Sequence, residues 1–200
     1  MMLRSKSRIV CRFLLVASFA FLLVLSRIAF AQTLGSPNIP ECGKAKVDLS
    51  NPEYLKTAEG IVVVEPPSGW FLDKIRDGPF YFIKRGESYS SARTLMYINV
   101  ERLEGPLQTA VQNDARSFKE KCQGAEIEDR PNPQLLEQGC ASKTQLFSCQ
   151  RKQNAYVDLV TKIAFNGLLL NVVLSGDTAP EISKHEEDYK FLLMHLTLTK

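Results

Sequence analysis

Apolar residues alternate most clearly between Ala155 and Gly176, AYVDLVTKIAFNGLLLNVVLSG. Asn166-Gly167 is the favoured pair for a two-residue type I′ turn, since both positions need φ > 0. Such a turn sets the register on both sides. It places Phe165 opposite Leu168, Ile163 opposite Leu170, Thr161 opposite Val172 and Leu159 opposite Leu174. Seven of these eight residues are apolar, and strand alternation points all eight to one face. The other face pairs Ala164 with Leu169, Lys162 with Asn171, Val160 with Val173 and Asp158 with Ser175. The pattern predicts an antiparallel hairpin with one core face and one mixed face.

Upstream, Ile61–Val64 is short and β-branched and is stopped by Pro66-Pro67, so it reads as a strand. Trp70–Leu72 and the aromatic-rich Phe80–Ile83 follow. Thr94–Leu103 comes next, with Met96, Ile98 and Val100 on one face and Tyr97, Asn99 and Glu101 on the other. Gly86–Ser91 is a polar loop. Pro106 fits a first helical position, and Leu107, Val111, Ala115, Phe118 and Cys122 recur at helical spacing. Gly124 supplies the left-handed stop. Ala125–Gly139, which contains Glu126, Glu128, Asp129, Pro131 and Pro133, reads as a loop or irregular edge rather than a Ca²⁺ loop, because no spaced ligand set is present. Ser142–Arg151 is a further strand. Thr178 to Glu181 has capping-box spacing, which predicts a final helix with Ile182, His185, Tyr189, Leu192, Leu193 and Leu196 on one face. His185 on that stripe is expected to be a packed or hydrogen-bonded histidine. Gln32 to about Glu59 shows little periodicity and reads as an extended lead-in, with a turn near Asn51-Pro52-Glu53.

The element order, β-β-β-α-β-β-β-α, indicates an α+β fold with an antiparallel sheet of about six to seven strands and two main helices. Residues 1–31 have the layout of a secretory signal: basic Arg4, Lys6, Arg8 and Arg12, an uncharged Phe13–Leu25, and Ala29-Phe30-Ala31 as the cleavage site. Cleavage after Ala31 is expected, rather than retention as an anchor, because a spanning helix needs about 20 apolar residues. The expected organisation is a signal at 1–31, an extended segment at 32–58 and one α+β domain at 59–200. Export to the periplasm or the extracellular space follows.

Removing the signal changes the charge. Five of the 25 basic residues and none of the 22 acidic ones lie in 1–31, leaving 20 against 22 and a formal charge of −2. A near-neutral domain lacks the basic footprint of a nucleic-acid binder. Cys42, Cys122, Cys140 and Cys149 remain, an even number that points to disulfides in an exported chain, with three connectivities open. No Cys-x-x-Cys occurs, and His185 and His195 lie ten residues apart, so no metal site is expected.

Pro67-Ser68-Gly69-Trp70 after a short strand, further strands ending in YINVERL, a proline-started helix, the Asn166-Gly167 strand pair and a terminal helix come in a familiar order. Over roughly residues 58–198 this order resembles the PsbP superfamily, which includes oxygen-evolving-enhancer proteins, a nuclear Ran-binding protein and exported bacterial proteins. The resemblance implies an α/β/α sandwich and a non-enzymatic binding or accessory role. It carries no catalytic residues over, and Cys140 and Cys149 are not part of its pattern.

There is no Gly-x-Ser-x-Gly elbow, no phosphate-binding glycine loop and no His-Glu-x-x-His. No catalytic, cofactor-binding or metal-binding residue is therefore assigned, and no cofactor. The function expected is an exported accessory or protein-interaction domain, with Trp70, Tyr81, Tyr89 and Tyr97 as candidate anchors. A small hydrophobic ligand carrier is the alternative. Trp70 is expected in the core, and Tyr89, in its Gly/Ser loop, is the best exposed candidate.

Overall fold

The computed structural model describes residues 50–56, 61–73, 79–132, 140–150, 155–165 and 167–199. The hairpin has the expected register. Tyr156–Phe165 (β8) and Leu168–Gly176 (β9) pair antiparallel, with Phe165 opposite Leu168 and Leu159 opposite Leu174. Asn166 lies outside the described residues, but Gly167 has φ +79°. Gly167→Ala should therefore cost about 1–2 kcal/mol, because a Cβ resists the left-handed region even where space is open. An unchanged urea midpoint would refute the turn.

β9 is the middle strand of seven. Antiparallel pairing gives the order β3-β4-β5-β9-β8-β7-β6, built from Trp70–Asp73 (β3), Phe80–Lys84 (β4), Thr94–Arg102 (β5), Glu126–Arg130 (β6) and Ala141–Cys149 (β7). A central strand covered on both faces has no solvent side. That is why LLLNVV runs almost without polar interruption, and why even Asn171 is buried.

One face meets the C-terminal helical layer. Ala179–Lys184 (α2) and Glu186–Met194 (α3) bring Ile182, Tyr189, Leu192 and Leu193 onto Met96, Ile98, Ile163, Leu170 and Val172. Tyr189 donates from its hydroxyl to the Val172 carbonyl at 2.7 Å, so its polar end is satisfied inside the core. On the opposite face lies Leu107–Lys121 (α1), where Phe118 packs against Phe147, Val160 and Val173. The arrangement is an α/β/α sandwich of the α+β class.

The terminal helix differs from the expected single stripe. It is broken at His185 (φ −115°, ψ 10°), which ends α2 and begins α3. Its start is as expected, since the Thr178 hydroxyl accepts from the Glu181 amide at 3.4 Å. Leu196 leaves the helix. Leu196–Thr199 (β10) pairs instead with Ile61–Val64 (β2), which also pairs with Glu53–Lys56 (β1) in a three-stranded sheet. The helical period extended by chance into Leu196, and a partner strand more than 130 residues upstream decides its conformation. Likewise, part of the lead-in is an ordered strand. Leu55, Val62 and Val64 belong to the main core.

Glu126–Arg130 is regular strand, not loop. It carries one inward apolar residue, Ile127, between exposed charges, and pairs along β7. Asp129 accepts from Lys143 at 2.6 Å and from Gln145 at 3.0 Å, and these bonds hold its carboxyl below the usual range. Such a charged edge discourages pairing with another chain.

Cys122, just past α1, bonds to Cys149 at the end of β7. Cys140 is also disulfide-bonded. The expected signal segment at 1–31 and Cys42 lie outside the described residues. Among the described residues no helix is long and apolar enough to cross a membrane.

Candidate functional site

The β4–β5 register sets Tyr81 opposite Tyr97, with ring centroids 5.7 Å apart. Tyr89, from the loop after β4, lies edge-on to Tyr81 at 4.6 Å. Its loop is held locally: the Ser91 hydroxyl accepts from the Ser88 amide at 3.0 Å, and the two hydroxyls are 2.9 Å apart. This leaves Tyr89 46% exposed. On the neighbouring edge strand Phe71 is 39% exposed and shares that face, since Asp73, two residues on, stands opposite Tyr81. Burial, then the Tyr89 hydroxyl, pushes the Tyr81 phenol above its ordinary range. The result is an aromatic cluster on β3–β5, while α1 lies against β7 and β8.

Beneath α1 the same sheet face becomes polar. Lys162, nearly fully buried, donates to Asn171 Oδ1 at 2.7 Å and pairs with Asp114 of α1 at 2.8 Å. Asn171 in turn donates to Glu101. Four residues before Lys162 on the same strand, burial pushes the Asp158 carboxyl up to about 6, opposed by a hydrogen bond with Ser175. Tyr97 is raised too, by burial first and then by the Asp158 charge. Lys162–Asn171 and Asp158–Ser175 are the cross-strand pairs that made this face mixed in the sequence.

Trp70 is buried, and its indole N–H donates to Asp188 Oδ2 at 3.1 Å. His185 meets it edge-on at 5.6 Å, with Nδ1 3.2 Å from the same carboxylate oxygen. Lys84 sits 5.4 Å from the indole centroid. These contacts pin the helix break to β3. His195 stacks on Phe191 at 3.9 Å, far along the helix from His185. Among the described residues no three His, Cys, Asp or Glu side chains are placed to hold a metal ion.

Of the four aromatic anchors expected, Tyr81, Tyr89 and Tyr97 come together and Trp70 is separate, on the opposite face. Phe71 was missed, although alternation alone puts it on the face that Trp70 does not use. A shallow concavity of about 450 Å³ lies on the outside of α1, lined by Gln112, Ala115, Arg116, Lys119 and Glu120. Four of its five lining side chains end in charged or amide groups, and it is open to solvent.

No protein-family model matches the sequence. No curated protein matches it either. Solved structures do. The solution structure of cyanobacterial PsbP (CyanoP) from Synechocystis sp. PCC 6803 superposes with a TM-score of 0.50 at 12% identity, covering 78% of this chain and 98% of that one. LpqN, described as involved in cell envelope biogenesis of Mycobacterium tuberculosis, gives a TM-score of 0.51 at 10% identity, covering 75% and 91%. At such identities the likeness is one of fold. The chain is thus similar in fold to PsbP, as its order of strands and helices implied.

Proposed function

We propose that the chain is an exported, non-catalytic accessory domain that binds a protein partner through the aromatic face of β3–β5. The observation that carries this reading is the group of Phe71, Tyr81 and Tyr89 on a sheet face beside α1, with Phe71 and Tyr89 open to solvent. Tyrosines suit such a role because they supply large amphipathic contact area with few rotatable bonds. The N-terminal signal pattern and the disulfide between Cys122 and Cys149 support an oxidising compartment. The envelope role printed for LpqN belongs to that protein and agrees with this placement. The carrier alternative has less support: Phe82, Met96, Ile163, Leu170, Tyr189 and Leu192 occupy the layer where a ligand would sit.

The test is site-specific photo-crosslinking from position 89 in intact cells of the source, followed by binding measurements with the captured protein. Tyr89→Ala should weaken that binding at least tenfold, about 1.4 kcal/mol. It should leave the melting temperature nearly unchanged, because an exposed side chain contributes little to folding. No crosslinked product, or a product whose binding ignores both Tyr89→Ala and Phe71→Ser, overturns the assignment. The mature N-terminus of the same protein is expected at Gln32, and peptide mass mapping reads it directly.

A further inference from the structure

α1 is held to the sheet by few means. Val111 is its buried residue, Phe118 meets Phe147 edge-on at 5.0 Å, Asp114 reaches Lys162, and the disulfide ties the residue after its last turn to β7. Under this helix sits Asp158. Its Oδ1 is buried without a hydrogen-bond partner, which is costly for a carboxylate and tolerable for a neutral acid.

The groups around Asp158 come from α1 and from four strands of the sheet. α1 contributes Asp114, a like charge that raises its proton affinity further. β9 contributes the Ser175 hydroxyl, and β5 the phenol of Tyr97. Tyr156 and Lys162 lie on its own strand, and β7 places Phe147 opposite it. The one cation among these, Lys162, is already engaged by Asp114 and Asn171.

We propose that the docking of α1 onto the sheet is proton-linked, with Asp158 as the group that takes up the proton. When α1 is down, Asp158 is shielded from water and next to Asp114, and the neutral acid is favoured. When α1 lifts, water reaches the carboxyl and it ionises in its ordinary range. A group whose proton affinity is higher in the closed state stabilises that state at low pH and loses the effect as pH rises through its closed-state value. With that value at about 6, opening rises from the ordinary aspartate range upward and levels off above 6. Between pH 5 and 7.5 the expected increase is about tenfold. An acidic surrounding therefore clamps α1, and a neutral one loosens it.

Native-state hydrogen exchange of the full mature chain tests this at pH 5, 6 and 7.5, with rates corrected for intrinsic exchange. Protection of the α1 amides should fall about tenfold over this range while staying well below that of the β9 amides, which exchange only when the whole domain opens. In Asp158→Asn the α1 protection should be flat and high. A flat wild-type profile, a fall that survives in Asp158→Asn, or α1 amides no less protected than those of β9 would each overturn the proposal. If Asp158→Asn does not fold, Ser175→Ala serves instead. It removes the bond that lowers the Asp158 value, so the midpoint must move to higher pH, and an unmoved midpoint refutes the link.

Discussion

Replacing Cys122 and Cys149 together with alanine should lower the unfolding free energy by roughly 3–4 kcal/mol, the loop-closure value for a cross-link spanning 27 residues. Both side chains are almost wholly buried, so alanine avoids placing new hydroxyls in the interior. For a chain of this size the loss corresponds to a fall in melting temperature on the order of 10 °C. The loss should be concentrated at α1, because the bond joins the end of that helix to β7 where little apolar contact exists. Differential scanning calorimetry of the double variant against the oxidised wild type measures it, and coincident melting curves would contradict a stabilising bond. Non-reducing peptide mapping should also return a Cys122–Cys149 peptide. The same mapping is expected to show no free thiol among Cys42, Cys122, Cys140 and Cys149.

Leu170→Ala should cost about 3–5 kcal/mol, the range for truncating a leucine in a site that cannot collapse. Leu170 is fully buried, faces Ile163 across the central strand pair, and is enclosed by two neighbouring strands and the helical layer. No flexible surface element can move in to fill the space. Tyr189→Phe provides the comparison. It keeps the ring and removes the hydroxyl, with its 2.7 Å bond to the Val172 carbonyl and its contact with Thr161, at a cost of about 1–1.5 kcal/mol. Urea titration separates the two, with the midpoint shifting and the slope unchanged. Leu170→Ala losing no more than Tyr189→Phe would mean that the hairpin does not form the centre of the core.

The two central strands were legible because their information is local. Asn166-Gly167 fixes a two-residue loop, and alternation then assigns every side chain from Leu159 to Leu174 to a face. Helix α1 was legible for the same reason, from Pro106 to Gly124, whose φ of +81° accommodates the chain leaving the helix. The small sheet was not. Leu196 fits a helical stripe as well as a strand, and only pairing with Val64 separates the two. Glu126–Arg130 offers one apolar residue in five, too few to register as alternation. The break at His185 follows from a carboxylate shared with an indole 118 positions away in sequence from Asp188.

The candidate site divides along the same line. Its ingredients were visible: three tyrosines, an exposed Gly/Ser loop, and a hairpin face carrying Asp158, Lys162 and Asn171. The sequence by itself determined which residues share that face, because strand alternation and turn geometry act over a few residues and need no partner. Only the tertiary structure decided what covers it. α1 closes over the polar half, burying Lys162 and leaving Asp158 short of a partner, while the tyrosines stay beside the helix. Coverage depends on contacts between segments far apart in the chain, and no local pattern encodes which of two chemically similar surfaces a helix will meet.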